Sequence, residues 1–379
     1  MPTRSRKQNK SPQSLLKFPK DTELVGLELE LFLLSDTFVY PQYTIGLHAW
    51  FLDQVRNYDP ELSAYLHDGE SEKPFTVSAL DGEIISSGRQ VQLFADRTYR
   101  WYVTALSGRL VHWMTQWVEN LPKELNLRGS PLQIRACNIA HAPSSYAQLL
   151  ESEHGDTVCL KFISPTSFRR KGHHLPLPMP MNVFQSYLRR WNDFSDNPVD
   201  QEAFLAWVDD NAMILRHHLS STKVLAGKKG SVTGFTGTVE FGLAKEAAKN
   251  QDFYDLFFAL GKFAPYCGTG HKTTFGLGQT RLCSSFAAGE KDSTQANTVV
   301  TDIESFLAKR IEDLTAIFKG QRKRSGGDRA NEIASKWATI LGRREMGESL
   351  QVIAEDLGIP YETVKTYAKL ARRALKSQD

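Results

Sequence analysis

The sequence predicts an α+β chain: two tandem ferredoxin-like (RRM-like) domains followed by a small all-α helix-turn-helix module. Three observations predict it. Strand and helix signals run strand, helix, strands, helix, strands between residues 24 and 163, and two helices, two strands, a helix and a strand follow up to residue 284. A flexible basic link, Lys319-Gly-Gln-Arg-Lys-Arg-Ser-Gly-Gly-Asp328, then breaks the pattern. Beyond it only helical periodicity remains.

In order, residues 1–20 read as a disordered, solubilising basic tail. Leu24 to Leu34 alternates as a strand, with Val25, Leu27, Leu29 and Leu31 on one face and Glu28 and Glu30 on the other. Residues 46–57 and about 104–118 read as helices, with strands near Leu132–Asn138 and Thr157–Ile163. The first domain is expected to span 21–171. The prolines of Leu175-Pro-Leu-Pro-Met-Pro fix an extended lead into a helix containing Tyr187-Leu-Arg-Arg-Trp-Asn. A helix over 201–216 and strands Ser221–Leu225 and Val232–Phe241 follow, with Gly234 and Gly237 marking a bulge or close packing. Helix 251–262 and strand 279–284 complete a second domain over 172–290. Residues 291–329 hold a helix (299–317) and the basic link. Residues 330–379 hold three helices, Glu332–Leu341, Leu350–Leu357 and Tyr361–Leu375, with Gly358 closing the second and Pro360 opening the third.

Composition narrows the class. The chain has 379 residues, 41% of them hydrophobic, enough for ordinary buried cores. It lacks an apolar run of membrane-span length and a secretion signal, so a cytoplasmic protein without membrane contact is expected. Cys137, Cys159, Cys267 and Cys283 form no C-x-x-C pair and read as buried thiols, not as a zinc site or disulfide framework. No histidine pattern argues for a metal, and no cofactor is expected. The net charge of +3 hides a segregation: residues 1–20 carry +6, residues 319–379 carry +5, and the middle carries −8. A nucleic acid would therefore meet local basic patches.

The stretch with most chemical character is Gly268-Thr-Gly270-His-Lys-Thr-Thr-Phe-Gly276-Leu-Gly278, joining a helix to a strand. Glycines around His271 and Lys272 suggest exposed N–H groups and positive charge facing a phosphate. The order is the reverse of Walker and dinucleotide loops, and a tight structural turn is the equal alternative. Two Gly-x-Gly pairs flanking five residues with a Lys, late in a second ferredoxin-like domain, resemble the loop of CRISPR-associated repeat-processing endoribonucleases, which cut the precursor CRISPR transcript within its repeats. The slots between the glycines hold Thr269 and Leu277. Cys159-Leu-Lys-Phe-Ile-Ser-Pro-Thr resembles the last strand of that family's first domain.

A second stretch, Asp59-Pro-Glu-Leu-Ser-Ala-Tyr-Leu-His67-Asp followed by Glu72-Lys73-Pro-Phe, is similar to the family's Leu-His and Lys-x-Phe region. The resemblance implies catalytic roles for His67 and Lys73. Some members add a tyrosine on the preceding helix; here that position is Leu52, and His48 on the same helix is the reserve candidate. Alone, His67 reads as a helix-terminal residue capping carbonyls. In the implied chemistry the ribose 2′-OH attacks its own phosphate, leaving a 2′,3′-cyclic phosphate and a 5′-OH without a metal. The loop glycines Gly268, Gly270, Gly276 and Gly278, with His271, Lys272, Lys228 and Lys229, would hold RNA backbone; Arg169, Arg170 and Lys171 are further candidates. The implied partner is the CRISPR repeat hairpin, retained as part of an interference complex.

Two alternatives stand. One is a non-catalytic CRISPR RNA-binding subunit. The other is a DNA-binding regulator, because Ile-Ala-x-x-Leu-Gly-Ile-Pro-x-x-Thr-Val-Lys resembles the helix-turn-helix of sigma factors and response regulators. In that module Thr363, Lys365, Thr366, Lys369, Arg372 and Arg373 are candidate contacts to DNA, or the helices dock a protein.

Overall fold

Two sheets of the same strand order carry the fold. The computed structural model describes residues 16–67, 72–86, 90–127, 129–153, 155–170, 173–225, 231–286, 310–320, 328–345 and 350–375. The expectations for residues 1–15, the helix over 299–309, and Lys171, Lys228 and Lys229 lie outside them.

The first unit opens with β1 (Leu24–Phe32), the short β2 (Thr37–Val39), α1 (Tyr43–Tyr58) and α2 (Pro60–His67). It continues with β3 (Phe75–Val77), β4 (Ile85–Ser86), β5 (Val91–Leu93), β6 (Thr98–Ala105) and α3 (Gly108–Glu119). The hairpin β7 (Glu124–Leu127) and β8 (Ser130–Ser144) closes it. The sheet order is β3-β6-β1-β8-β7, while β2, β5 and β4 form a small side sheet. The β1 alternation is as read from the sequence: Val25, Leu27, Leu29 and Leu31 are fully buried. Tyr43, Leu47, Phe51 and Val55 of α1 and Leu110, Trp113, Met114 and Trp117 of α3 cover them. The second predicted helix starts later than Thr104: residues 98–105 are β6, and Ser107 caps α3 by accepting from the Leu110 amide.

After α4 (Tyr146–Glu151) comes β9 (Thr157–Thr166). This strand corrects the boundary expected at 171. It pairs with strands of the second sheet, not the first. The small hairpin β10 (Phe168–Arg170) and β11 (His173–Leu175) leads to α5 (Pro180–Phe194), α6 (Gln201–Asn211), β12 (Ala212–Leu225) and β13 (Ser231–Leu243). A 3₁₀ turn (Lys245–Lys249), α7 (Gln251–Cys267) and β14 (Thr280–Leu282) complete the unit. The order β12-β13-β9-β14 repeats the β3-β6-β1-β8 order, second strand, third, first, fourth. Without β9 the second unit would lack its first strand. The helix read over 201–216 stops at Asn211, and 212–216 extends β12. Gly237 sits at a register shift with φ +125°, where a Cβ would collide with the His218 carbonyl.

The units are docked, not merely joined. Thr104 Oγ1 donates to the Tyr266 carbonyl (2.6 Å), Tyr266 Oη to Ala142 (2.7 Å) and Tyr146 Oη to Leu106 (2.8 Å). Leu24 and Leu106 of the first unit belong to the second core.

The C-terminal helices are α8 (310–320), α9 (Asp328–Glu345), α10 (Leu350–Leu357) and α11 (Tyr361–Leu375). They share two small cores of their own. No described helix is long and apolar enough to cross a membrane. None of the four cysteines is joined in a disulfide; Cys159 and Cys267 are buried, whereas Cys137 and Cys283 are only partly so.

Candidate active site

The glycine loop leaves α7 at Gly268 and is pinched shut by the Thr269 amide donating to the Gly278 carbonyl (2.7 Å). Gly268, Gly270, Gly276 and Gly278 have φ between +64° and +83°. A Cβ at Gly270 would strike the Ser167 carbonyl, and one at Gly278 the Thr269 carbonyl. The glycines therefore serve close backbone packing. The expectation of exposed N–H groups does not hold for most of the loop. The amides of Gly270, His271, Gly276 and Gly278 donate to Ser186 Oγ, Ser167, Val77 and Pro165.

Helix α5 supplies the clamp. Tyr187 Oη, Thr269 Oγ1 and Thr280 Oγ1 form a buried hydroxyl chain (2.6 and 2.7 Å). The Arg190 side chain, almost fully buried, donates to the carbonyls of Gly270 (2.9 Å) and Gly268 (3.4 Å) and to Thr273 Oγ1 (3.3 Å). Its Nε pairs with Glu72 (3.3 Å), whose other oxygen meets Arg189 (2.8 Å). Glu72 belongs to the first unit, so this pair ties the two units beneath the loop. Arg190 is a positioning residue that sequence reading missed. An Arg189-Arg190 doublet reads as solvated charge, and only burial separates the two.

The loop tip faces the first unit. Lys272 is the only non-glycine at positive φ (62°) among the described residues, a strained conformation of the kind that clusters at functional sites. The following 3₁₀ turn (Thr273–Phe275) places Phe275 on His48, with ring centroids 4.2 Å apart, and His48 also stacks on Phe75 at 5.7 Å. His48 Nδ1 lies 2.9 Å from the Thr274 carbonyl. A carbonyl only accepts, so Nδ1 carries the proton. Burial pulls the His48 pKa down to about 4; the Thr274 bond opposes this, and the charges of His67 and Lys73 add to it. His67 and Lys73 therefore act on one imidazole from the end of α2 and the start of β3. A cleft of about 350 Å³ opens beside Lys73 and the loop, lined by Lys73, Arg189, Arg190, His271, Lys272 and Thr274 among others, with Glu72 and Asp193 as its acids.

Two family models match this chain: the CRISPR Cas6 N-terminal domain over residues 27–145, and the CRISPR-associated endoribonuclease Cas6 over residues 160–280. The chain belongs to the Cas6 family. A curated Cas6 endoribonuclease of Streptococcus thermophilus is 22% identical over 241 residues, 63% of this chain and 90% of that protein. Among solved structures, one Cas6 product complex is 27% identical with a TM-score of 0.54, covering 69% of this chain and 99% of that one. Another, at 23% identity and a TM-score of 0.57, covers 69% and 100% and shows the shared fold. The N-terminal Cas6 match ends at residue 145, just after β8, and the second begins at residue 160, within β9, in keeping with β9 belonging to the second sheet.

On this Cas6 fold the residues singled out in sequence separate into groups. Lys73 and the loop line one cleft, His48 packs against the loop, and the charge of His67 reaches His48. Leu52 is buried in α1, where no hydroxyl is available. His271 is committed to the protein: its Nδ1 bonds the Ser167 carbonyl (2.8 Å) and its ring stacks on His174 at 5.2 Å. Burial, His174 and the charges of Lys272 and Arg169 lower its pKa against the pull of Ser167. Burial and Arg169 likewise lower that of Lys272. Arg169 and Arg170 lie on β10, opposite His174 and His173 of β11. A second, larger cleft of about 730 Å³ between the units, lined by Tyr102, His141, Lys262, Tyr266 and Arg281 among others, had no sequence signal, because its residues come from six separate elements.

Proposed function

We propose that this chain cuts precursor CRISPR RNA within its repeats at the cleft between Lys73 and Lys272. One observation carries the reading. Lys73 of the first unit and the glycine loop of the second line a single basic cleft, with His48 held under the loop and His67 near enough for its charge to reach His48.

The nucleophile belongs to the RNA. Its 2′-OH attacks the adjacent phosphorus in line, the P–O5′ bond breaks, and a 2′,3′-cyclic phosphate and a 5′-OH result. One proton leaves the 2′ oxygen and one reaches the 5′ oxygen. The exposed imidazole of His67 exchanges the proton, and the Lys73 ammonium offsets charge on the phosphorane. His48 is neutral, with its proton spent on Thr274, and holds the loop against β3. Lys272 and Arg169 face the RNA backbone, and the hairpin product remains bound. The step asks for no metal, and four thiols without a disulfide suit a reducing cytoplasm.

Cleavage of the chain's own repeat RNA in EDTA, parent against His67→Ala, tests this. The expected result is a cyclic-phosphate end and a rate lower by about 10²-fold or more in the variant, with binding kept. Equal cutting by both proteins would move the chemistry away from His67. The buried Leu52 favours one rival, an RNA-holding subunit that does not cut. Tight hairpin binding without cleavage by the parent would establish it.

A further inference from the structure

We propose that the C-terminal helices are a duplex-DNA-binding module that sets α11 in the major groove. The Cas6 models end at residue 280, so nothing in the family resemblance accounts for these helices.

The turn between α10 and α11 is short and fixed. The Gly358 amide donates to the Glu355 carbonyl (3.2 Å) and the Ile359 amide to Ala354 (3.1 Å), a paired closure that needs a left-handed residue. Gly358 supplies it at φ +60°, and a Cβ there would meet nothing within 4 Å, so the glycine serves torsion and not space. Pro360 then accepts from the amides of Thr363 and Val364 to start α11. Two helices joined by a three-residue glycine turn, with α9 packed on both, make a helix-turn-helix.

Helix α11 buries one stripe, Val364, Ala368 and Ala371, against Ile340, Ile353 and Leu341. Helical spacing puts Thr366, Lys369 and Arg373 opposite that stripe, flanked by Lys365 and Arg372, and all five are exposed. The one acid of α11, Glu362, is paired with Lys365 (3.3 Å). On the neighbouring α10, Asp356 is paired with Arg343 of α9. The outward face of α11 thus carries more cations than acids, with Tyr361 and Leu370 as its exposed apolar members and Glu355 of α10 as a neighbouring acid, a composition suited to phosphates and base edges. A helix of about 10–12 Å diameter enters the roughly 12 Å major groove of B-DNA. The major groove of A-form RNA is too narrow to admit it. The geometry therefore favours DNA over the RNA that the rest of the chain handles.

The test uses the full chain with a 30-base-pair DNA duplex and an RNA duplex of the same sequence, each titrated at several salt concentrations. The parent is expected to bind the DNA about tenfold or more tighter than the RNA duplex. Lys369→Ala/Arg373→Ala is expected to lose about tenfold in DNA affinity and to flatten the log K against log salt slope by roughly 2 units. Its melting temperature and repeat-RNA cleavage should match the parent, and Lys369→Arg should retain DNA binding. Three results would each overturn the proposal: no DNA binding by the parent, equal affinity for both duplexes, or DNA binding by the double variant equal to that of the parent.

Discussion

Arg190 holds more of the site together than any residue that faces solvent. Its guanidinium serves two loop carbonyls, a threonine hydroxyl and the Glu72 carboxylate at once. Replacing it with alanine leaves Glu72 short of a partner and the Gly270 carbonyl short of its guanidinium donor, while the Gly268 carbonyl keeps only the weak Cys267 thiol. Breaking a buried pair from one side costs about 3–5 kcal/mol, and the partial exposure of Glu72 puts this case near the lower end. Arg190→Ala should therefore lower the denaturation midpoint by an amount equivalent to roughly 3 kcal/mol. It should slow repeat cleavage as the loop loosens. Arg190→Lys keeps the charge but cannot span both carbonyls, and should fall between the two. An unchanged midpoint and rate in the alanine variant would mean that the hydroxyl chain through Tyr187 suffices to hold the loop.

At the scale of elements, the contact of α1 with the glycine loop is pH-sensitive through His48. Its folded pKa of about 4 lies below the ordinary value of 6.5, so the unfolded chain binds the proton first as pH falls. The stabilisation is present above about pH 6.5 and is lost on acidification towards pH 4. His141, half-buried between the units beside Tyr266 and Arg281, is pulled to about 4 by its burial and the Arg281 charge. Each should remove roughly 2 kcal/mol of stability between pH 7 and pH 4.5. His48→Phe keeps the stack but not the proton, and should flatten that dependence measurably in denaturant melts; an identical slope would show that His48 is not buried as described. Other elements explain what the sequence made legible and what it hid. β1 was legible because one face is buried and the other half-exposed, which preserves the period of two. β6 was not. From Trp101 to Ala105 every residue is buried, since the first core lies on one side and α7 on the other, so alternation vanishes. The helix was accordingly read as starting at Thr104. β12 was shortened for a different reason: no glycine or proline separates Asn211 from Ala212, so the helical pattern ran on. The site divides likewise. His67, Lys73 and the loop carry local motifs, whereas the Arg190–Glu72 tie joins residues far apart in the chain, and only folding brings them together.

Across the whole molecule, charge and packing divide the chain at about the same place. The first two cores are built between Leu24 and Cys267, and the other two are drawn wholly from residues beyond 310, with no residue shared. The middle of the chain is acidic and residues 319–379 carry +5. RNA processing and duplex-DNA binding should therefore be separable by truncation. The cut belongs after Phe286, because Phe286 is buried beneath the Arg216 guanidinium (5.7 Å) and closes the end of the second sheet. Residues 1–286 are expected to unfold cooperatively and to cleave repeat RNA within about twofold of the full chain, as independent parts do, while losing duplex-DNA binding. A fragment that folds but cleaves poorly would show that the C-terminal helices contribute to the RNA site. In that case the basic face of α11 would belong to the hairpin, and the division of labour between the two ends of the chain would fall with it.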